Sequence, residues 1–235
     1  MNAQLPLLLR WPAQQRFETF VSGKSVPDAS AAALALLRDA ATSATAPWVF
    51  AAGPVGSGKT HLLIAACAAA TESGRSAQYL SLATLGDRGE AIRALGGSDL
   101  LALDDMHAIA GDAAAEHALF DLYNRSKMEK STLLFSAIAA PAQIGIALPD
   151  LVSRLSACAQ ARLIPLDDAQ RRDWLRARAQ SRGLILDDTV LDWLFAHHAR
   201  DLSSLADMLE RMDRAALAAQ RRVTVPFLRD LLGGA

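Results

Sequence analysis

The chain has no excess of basic charge. Its 235 residues carry 24 Lys and Arg against 25 Asp and Glu, a formal charge of −1. Affinity for nucleic acid comes largely from neutralising phosphates, so a freestanding DNA binder is not expected. Long apolar runs are also missing. The longest, Leu62–Ala70, falls well short of the roughly 18 residues that a membrane span needs. Met1–Arg10 has neither a basic leader ahead of its leucines nor a small-residue cleavage pattern, which argues against a signal peptide. Only two cysteines occur, Cys67 and Cys158, far apart and in apolar surroundings. That usage fits buried thiols in a reducing compartment and cannot by itself build a zinc site. The histidines show no metal-ligand spacing. What remains is a cytoplasmic protein with no membrane partner. Its 51% hydrophobic and 21% charged residues are enough to form a core.

Apolar runs and helical patterns alternate through the first two thirds of the sequence. Pro6, Pro12 and Gly23 make the N-terminus an extended arm. Helical spacing covers Ala29–Ala41, Lys59–Ser73 and Asp112–Lys130. Strands are expected at Trp48–Ala52, Gln78–Leu82, Leu100–Leu103, Thr132–Ala137 and Ala161–Leu166. Such alternation predicts an α/β fold, a parallel sheet flanked by helices. After Pro165 only helical patterns remain: Asp168–Arg182, Asp188–Ala199, Leu202–Gln220 and a short one from Pro226. The expected organisation is an arm over 1–13, an α/β core over 14–165 and a small all-helical C-terminal lid over 166–235. The five arginines between Arg171 and Arg182 belong to a segment, 166–235, in which arginines and acids nearly balance, and read as a solvated helix face.

Gly53-Pro54-Val55-Gly56-Ser57-Gly58-Lys59-Thr60 satisfies G-x-x-x-x-G-K-[ST] in full, between an apolar strand and a well-patterned helix. In that context glycines let backbone N–H groups curl around phosphate oxygens, and the helix N-terminus adds its positive end. Lys59 would reach the β- and γ-phosphates, and the Thr60 hydroxyl would ligate Mg2+. The next requirement is a strand ending in carboxylates. Leu100–Leu103 followed by Asp104-Asp105 supplies it. Asp104 would hold Mg2+ through water and Asp105 would orient the attacking water. Many related ATPases carry Glu at the second position.

The order of these pieces resembles the AAA+ ATPases, and more narrowly the family of the bacterial replication initiator DnaA. Phe17–Ser25 resembles the segment that opens the initiator's ATPase domain and lines its adenine pocket. Phe20 and Val21, with His61 after the phosphate loop, are therefore placed at the nucleotide. Ile109–Asp112 also resembles the initiator, and Ser153-Arg154 within Leu148–Leu155 resembles the box carrying its arginine finger. The resemblance implies an AAA+ P-loop core with a helical lid, ADP or ATP with Mg2+ as cofactors, and Arg154 acting on a neighbour's ATP. The initiator continues into a helix-turn-helix domain that reads origin DNA, and no such segment follows here before Ala235. Phe120–Arg125, Met212–Ala215 and Gln220–Phe227 resemble the short homologue family, Hda. That family acts in regulatory inactivation of the initiator.

Gln4-Leu5-Pro6-Leu7-Leu8 resembles the family's sliding-clamp-binding peptide, in which Gln4, Leu5, Leu7 and Leu8 would engage the clamp in extended form. From pattern alone the leucines could equally pack on the chain's own core. Two positions depart from the relatives. Ser203 stands where the initiator's lid carries a phosphate-contacting arginine, with Arg200 close by. Ser136 is the only polar sensor candidate after the fourth strand. Weak intrinsic ATP hydrolysis is expected. The implied partners are the sliding clamp, the initiator DnaA and, through the clamp, DNA, with homo-oligomerisation open. The alternative reading is an AAA+ helicase loader or transposition-type ATPase, although the arm is short for a helicase-binding domain. A nucleotide-binding adaptor with other partners is a third.

Overall fold

A computed structural model describes residues 11–21, 29–219 and 221–232. The chain divides into two compact units between Pro165 and Leu166. The first is built on five parallel strands: β1 (Val49–Ala52), β2 (Ala77–Ser81), β3 (Leu100–Asp104), β4 (Thr132–Ala137) and β5 (Ala159–Arg162), in the order β2-β3-β4-β1-β5. Every residue of β3 and β4 is buried, which is why they read as unbroken apolar runs.

Alternate residues of each strand feed opposite faces. Val49, Ala51, Leu100, Ala102 and Leu134 pack against α1 (Ala29–Thr42) and α2 (Lys59–Glu72). Phe50, Leu101, Leu103, Leu133 and Phe135 pack against α3 (Arg88–Ala94), α4 (Ala113–Glu129) and α5 (Pro149–Ser156). Both cysteines are buried and free, and burial pushes the Cys67 thiol up to about 12 and that of Cys158 to about 11. The register sets Ser136 beside Ala51 and Phe135 beside Leu103. The carboxyl ends of β1, β4 and β3 therefore lie side by side, where ligands bind in open α/β sheets.

The last strand is displaced from its expected position at 161–166. It begins at Ala159 and ends at Arg162, after which the Leu163 amide makes one further bond, to the Ala52 carbonyl at 2.8 Å. As an edge strand it points only alternate residues inward, so Gln160 and Arg162 hide it from a search for apolar runs. Pro165 lies just beyond and has no N–H to extend the ladder. Two short helices, α3 and α5, have no counterpart among the expected elements. α5 opens with Pro149 at its first position, where a missing N–H costs nothing.

The second unit holds α6 (Asp168–Gln180), α7 (Asp188–His197), α8 (Leu202–Ala219) and α9 (Val225–Leu232). Asp167 and Gln170 form a capping box on α6, and Asp187 caps α7. Leu175, Leu191, Leu194, Leu205, Leu209 and Met212 make its core. Four of the five arginines between Arg171 and Arg182 are paired: Arg171 with Asp168, Arg172 with Asp192, Arg176 with Asp173 and Asp188, and Arg182, just past α6, with Asp213, while Arg178 lies 5.8 Å from the centre of the Trp174 ring. Arg200 is likewise held by Asp168 at 2.6 Å. Among the described residues no helix is long and apolar enough to cross a membrane.

Candidate functional site

Gly53–Gly58 turns the chain from β1 into α2, and glycine is required for different reasons along it. Gly56 and Gly58 have φ of +77° and +89°, a region L side chains avoid. A Cβ on Gly53 would come within 2.5 Å of the Leu163 carbonyl oxygen, and one on Gly58 within 2.6 Å of the Phe20 ring. The Lys59 ammonium curls back over the loop, donating to the carbonyls of Gly53 at 2.8 Å and Pro54 at 2.9 Å. An ammonium has three protons, so one is left for a ligand oxygen. Burial lowers the Lys59 pKa, opposed by the charges of Asp104 and Asp105. Ser57 Oγ is buried without a hydrogen-bond partner. Buried hydroxyls are nearly always paired, so an orphan inside a glycine-rich turn fits a phosphate oxygen.

Asp104 is fully buried at the end of β3 and is met by hydroxyls from three elements. Thr60 of α2 donates to Oδ2 at 2.6 Å, Tyr79 of β2 donates to the same oxygen at 2.8 Å, and Ser136 of β4 donates to Oδ1. Tyr79 was not anticipated from sequence. β2 is a half-buried edge strand that carries other polar residues, so nothing in its sequence marks Tyr79; burial together with the Asp104 charge raises its pKa. Asp105 follows in a left-handed conformation, φ 60°, with its amide donating to Ser136 Oγ at 3.2 Å. Desolvation, then the neighbouring Asp104 charge, raises its carboxyl pKa. Hydroxyl and carboxylate oxygens are the donors a hard cation prefers, and Mg2+ commonly takes only one or two protein carboxylates, completing its shell with phosphate and water. Among the described residues no cluster of three or more His, Cys, Asp or Glu forms a metal cage. Thr60 and Asp104 thus fit Mg2+ held jointly with a nucleotide.

Phe20 packs on Gly58 and meets the His61 ring edge-on, with centroids 5.6 Å apart. His61 Nε2 lies 2.8 Å from the Arg16 carbonyl, and Val21 is exposed. Phe20 and His61 thus meet beside the start of α2. Gln4, Leu5, Leu7 and Leu8 lie outside the described residues, as does the side chain of Ser203.

Arg154 sits apart from the glycine loop, on α5. Its guanidinium donates to Asn124 Oδ1, lies 4.1 Å from the centre of the Phe120 ring and 5.3 Å from that of Tyr123. Among the described residues no carboxylate pairs with it. A second residue missed in the sequence is Glu116, buried on α4. Its carboxylate accepts from the backbone amides of Gly111 at 3.0 Å, Ala147 at 3.0 Å and Leu148 at 2.8 Å. It thereby ties the start of α4 to the turn that opens α5.

The sheet order, the loop after β1 and the carboxylate-tipped β3 define an AAA+ P-loop fold. A family model described as the bacterial DnaA ATPase domain matches residues 12–161, and one described as the Hda lid domain matches residues 168–232. The chain belongs to the bacterial DnaA ATPase family and is of the Hda type. Among solved structures, domain III of the Thermotoga maritima replication initiation protein DnaA is similar with a TM-score of 0.74 at 22% identity, covering 95% of this chain and 97% of that one. AMPPCP-bound DnaA from Aquifex aeolicus gives 0.68 at 20% identity, covering 86% of this chain and 66% of that one. The Thermotoga maritima RuvB branch migration motor gives 0.64 at 14% identity, covering 93% and 71%. At these identities the likeness is one of fold.

Proposed function

We propose that this protein is an adenine-nucleotide-binding regulator that restrains chromosome replication in the cytoplasm. It would dock on the DNA-loaded sliding clamp through its arm, meet the ATP-bound initiator and promote hydrolysis of the initiator's ATP. The observation that carries this reading is an Hda-type lid following a DnaA-type ATPase core, with an arginine on α5 that has no carboxylate partner among the described residues. In the chain's own site, Gly53–Gly58, Ser57 and Lys59 would hold the phosphates of ADP or ATP. Thr60 and Asp104 would hold Mg2+, which supplies charge neutralisation at the phosphates when bound. Asp105 would orient water, Ser136 would fix Asp104, and Phe20, Val21 and His61 would border the base. With serine at position 203, nucleotide in this site is expected to set the protein's shape more than to turn over.

Lys59→Ala is expected to abolish nucleotide binding, because the loop loses its phosphate-directed cation. Equilibrium dialysis with labelled ADP and ATP checks this, and equal retention by variant and wild type would refute the assignment. The arm is tested separately. Gln4→Ala with Leu7→Ala should abolish clamp binding and clamp-dependent inactivation, with nucleotide affinity and melting temperature unchanged. Burying one leucine is worth about 1.5–3 kcal/mol, so a micromolar peptide contact would weaken more than about tenfold. Surface plasmon resonance on immobilised clamp, paired with a melting curve, decides the matter. A lowered melting temperature with intact clamp affinity would place the leucines in the protein's own core.

A further inference from the structure

A cavity of about 390 Å³ opens where β1 and β4 begin, within the first unit. Its walls include Pro47, Trp48 and Tyr123, and Lys127 and Lys130 stand on it. The Trp48 and Tyr123 rings meet edge-to-face at 4.6 Å. Tyr123 also faces the Arg154 guanidinium at 5.3 Å, so one ring is shared between the cavity and the arginine. The two lysines are half of the four in the chain, and both are exposed. Among the described residues neither has a carboxylate within ion-pairing distance, whereas the nearby Glu129 is taken by Arg125. Lys127 complements the negative end of α4. Lys130 goes further, since it caps α4 in a left-handed conformation, φ 58°, that glycine normally supplies. A pocket with an aromatic wall on one side and unpaired cations on the other is complementary to an apolar side chain flanked by acids.

We propose that this cavity is a docking pocket for an acidic loop of the initiator protomer served by Arg154. One apolar or aromatic side chain would sit against Trp48 and Tyr123, with carboxylates reaching Lys127 and Lys130. The inference rests on Arg154 acting on a partner's ATP, and divides the labour on one surface. The pocket supplies affinity and the arginine supplies catalysis.

The test titrates the full-length protein against ATP-loaded initiator on clamp-loaded DNA, reading half-saturation and maximal hydrolysis rate separately. Lys127→Glu with Lys130→Glu should raise half-saturation at least tenfold, leave the maximal rate within twofold, and remove the weakening by salt that wild type shows. Ala44→Trp, which fills the pocket from its exposed rim, should raise half-saturation equally while keeping the salt dependence. ADP affinity and melting temperature, measured alongside, should match wild type and so establish that both variants are folded. Half-saturation within twofold of wild type in both folded variants would overturn the pocket, as would a lost maximal rate at unchanged half-saturation. Wild-type protein that never stimulates the initiator would instead overturn the underlying reading of Arg154.

Discussion

Arg154→Ala is expected to keep nucleotide and clamp affinity while stimulation of initiator ATP hydrolysis falls by about 10³-fold or more, the range in which arginine fingers operate. Charge spreads over the transferred phosphoryl group, and a guanidinium brought from outside the site stabilises it where the resident loop cannot. In this protein the Arg154 guanidinium is positioned by uncharged neighbours. Phe120 and Tyr123 offer ring faces, and Asn124 takes one N–H without neutralising the charge. A carboxylate in place of Asn124 would have fixed the arginine equally well and spent its charge. Arg154→Lys should recover little, because an ammonium lacks the planar fork that meets two phosphate oxygens at once. Full stimulation by the alanine variant, in an assay with clamp-loaded DNA, would mean that the finger lies elsewhere, on the initiator itself.

The second large effect is on stability. Glu116→Ala removes the acceptor for three backbone amides, those of Gly111, Ala147 and Leu148, at a buried position. Each orphaned donor costs about 1–3 kcal/mol, so a loss of about 3 kcal/mol or more is expected. For a unit of this size that corresponds to about 6–12 °C in melting temperature. Glu116→Gln keeps one oxygen but turns an N–H₂ toward amides, and should recover only part of the loss. Calorimetry of the full chain reads both, and a drop below about 2 °C for the alanine variant would contradict the bracing role. Because Ala147 and Leu148 lead directly into α5, the same variant should also weaken stimulation through a misplaced Arg154.

The sheet, its flanking helices and the helical C-terminal region were legible because β1, β3 and β4 are buried on both faces and α4, α6 and α7 start at capping aspartates. The glycine loop was legible because its chemistry is contiguous. Thr60, Asp104 and Ser136 could be singled out separately, and the parallel register brings them within hydrogen-bonding distance. The edge strand β5 was misplaced since only half of its side chains face the core. α3 and α5 are too short to show a helical period. Tyr79 and Glu116 escaped for a different reason. A phenol in a strand and a glutamate in a helix are unremarkable until the fold places the one against Asp104 and the other against three amides more than a turn away in space or thirty residues along the chain.

Glu116, Phe120 and Asn124 occur four residues apart on α4, and each is engaged, the first with the entry to α5 and the others with Arg154. The helix rises about 1.5 Å and turns about 100° per residue, so this stripe is a ruler about 12 Å long with three fixed marks. One residue gained or lost between the marks would swing everything beyond it by about 100°, and brace and arginine could no longer be satisfied together. The segment from Glu116 to Asn124 can therefore exchange side chains on its outer face but cannot change its length. Length variation in this part of the molecule belongs to the turns on either side.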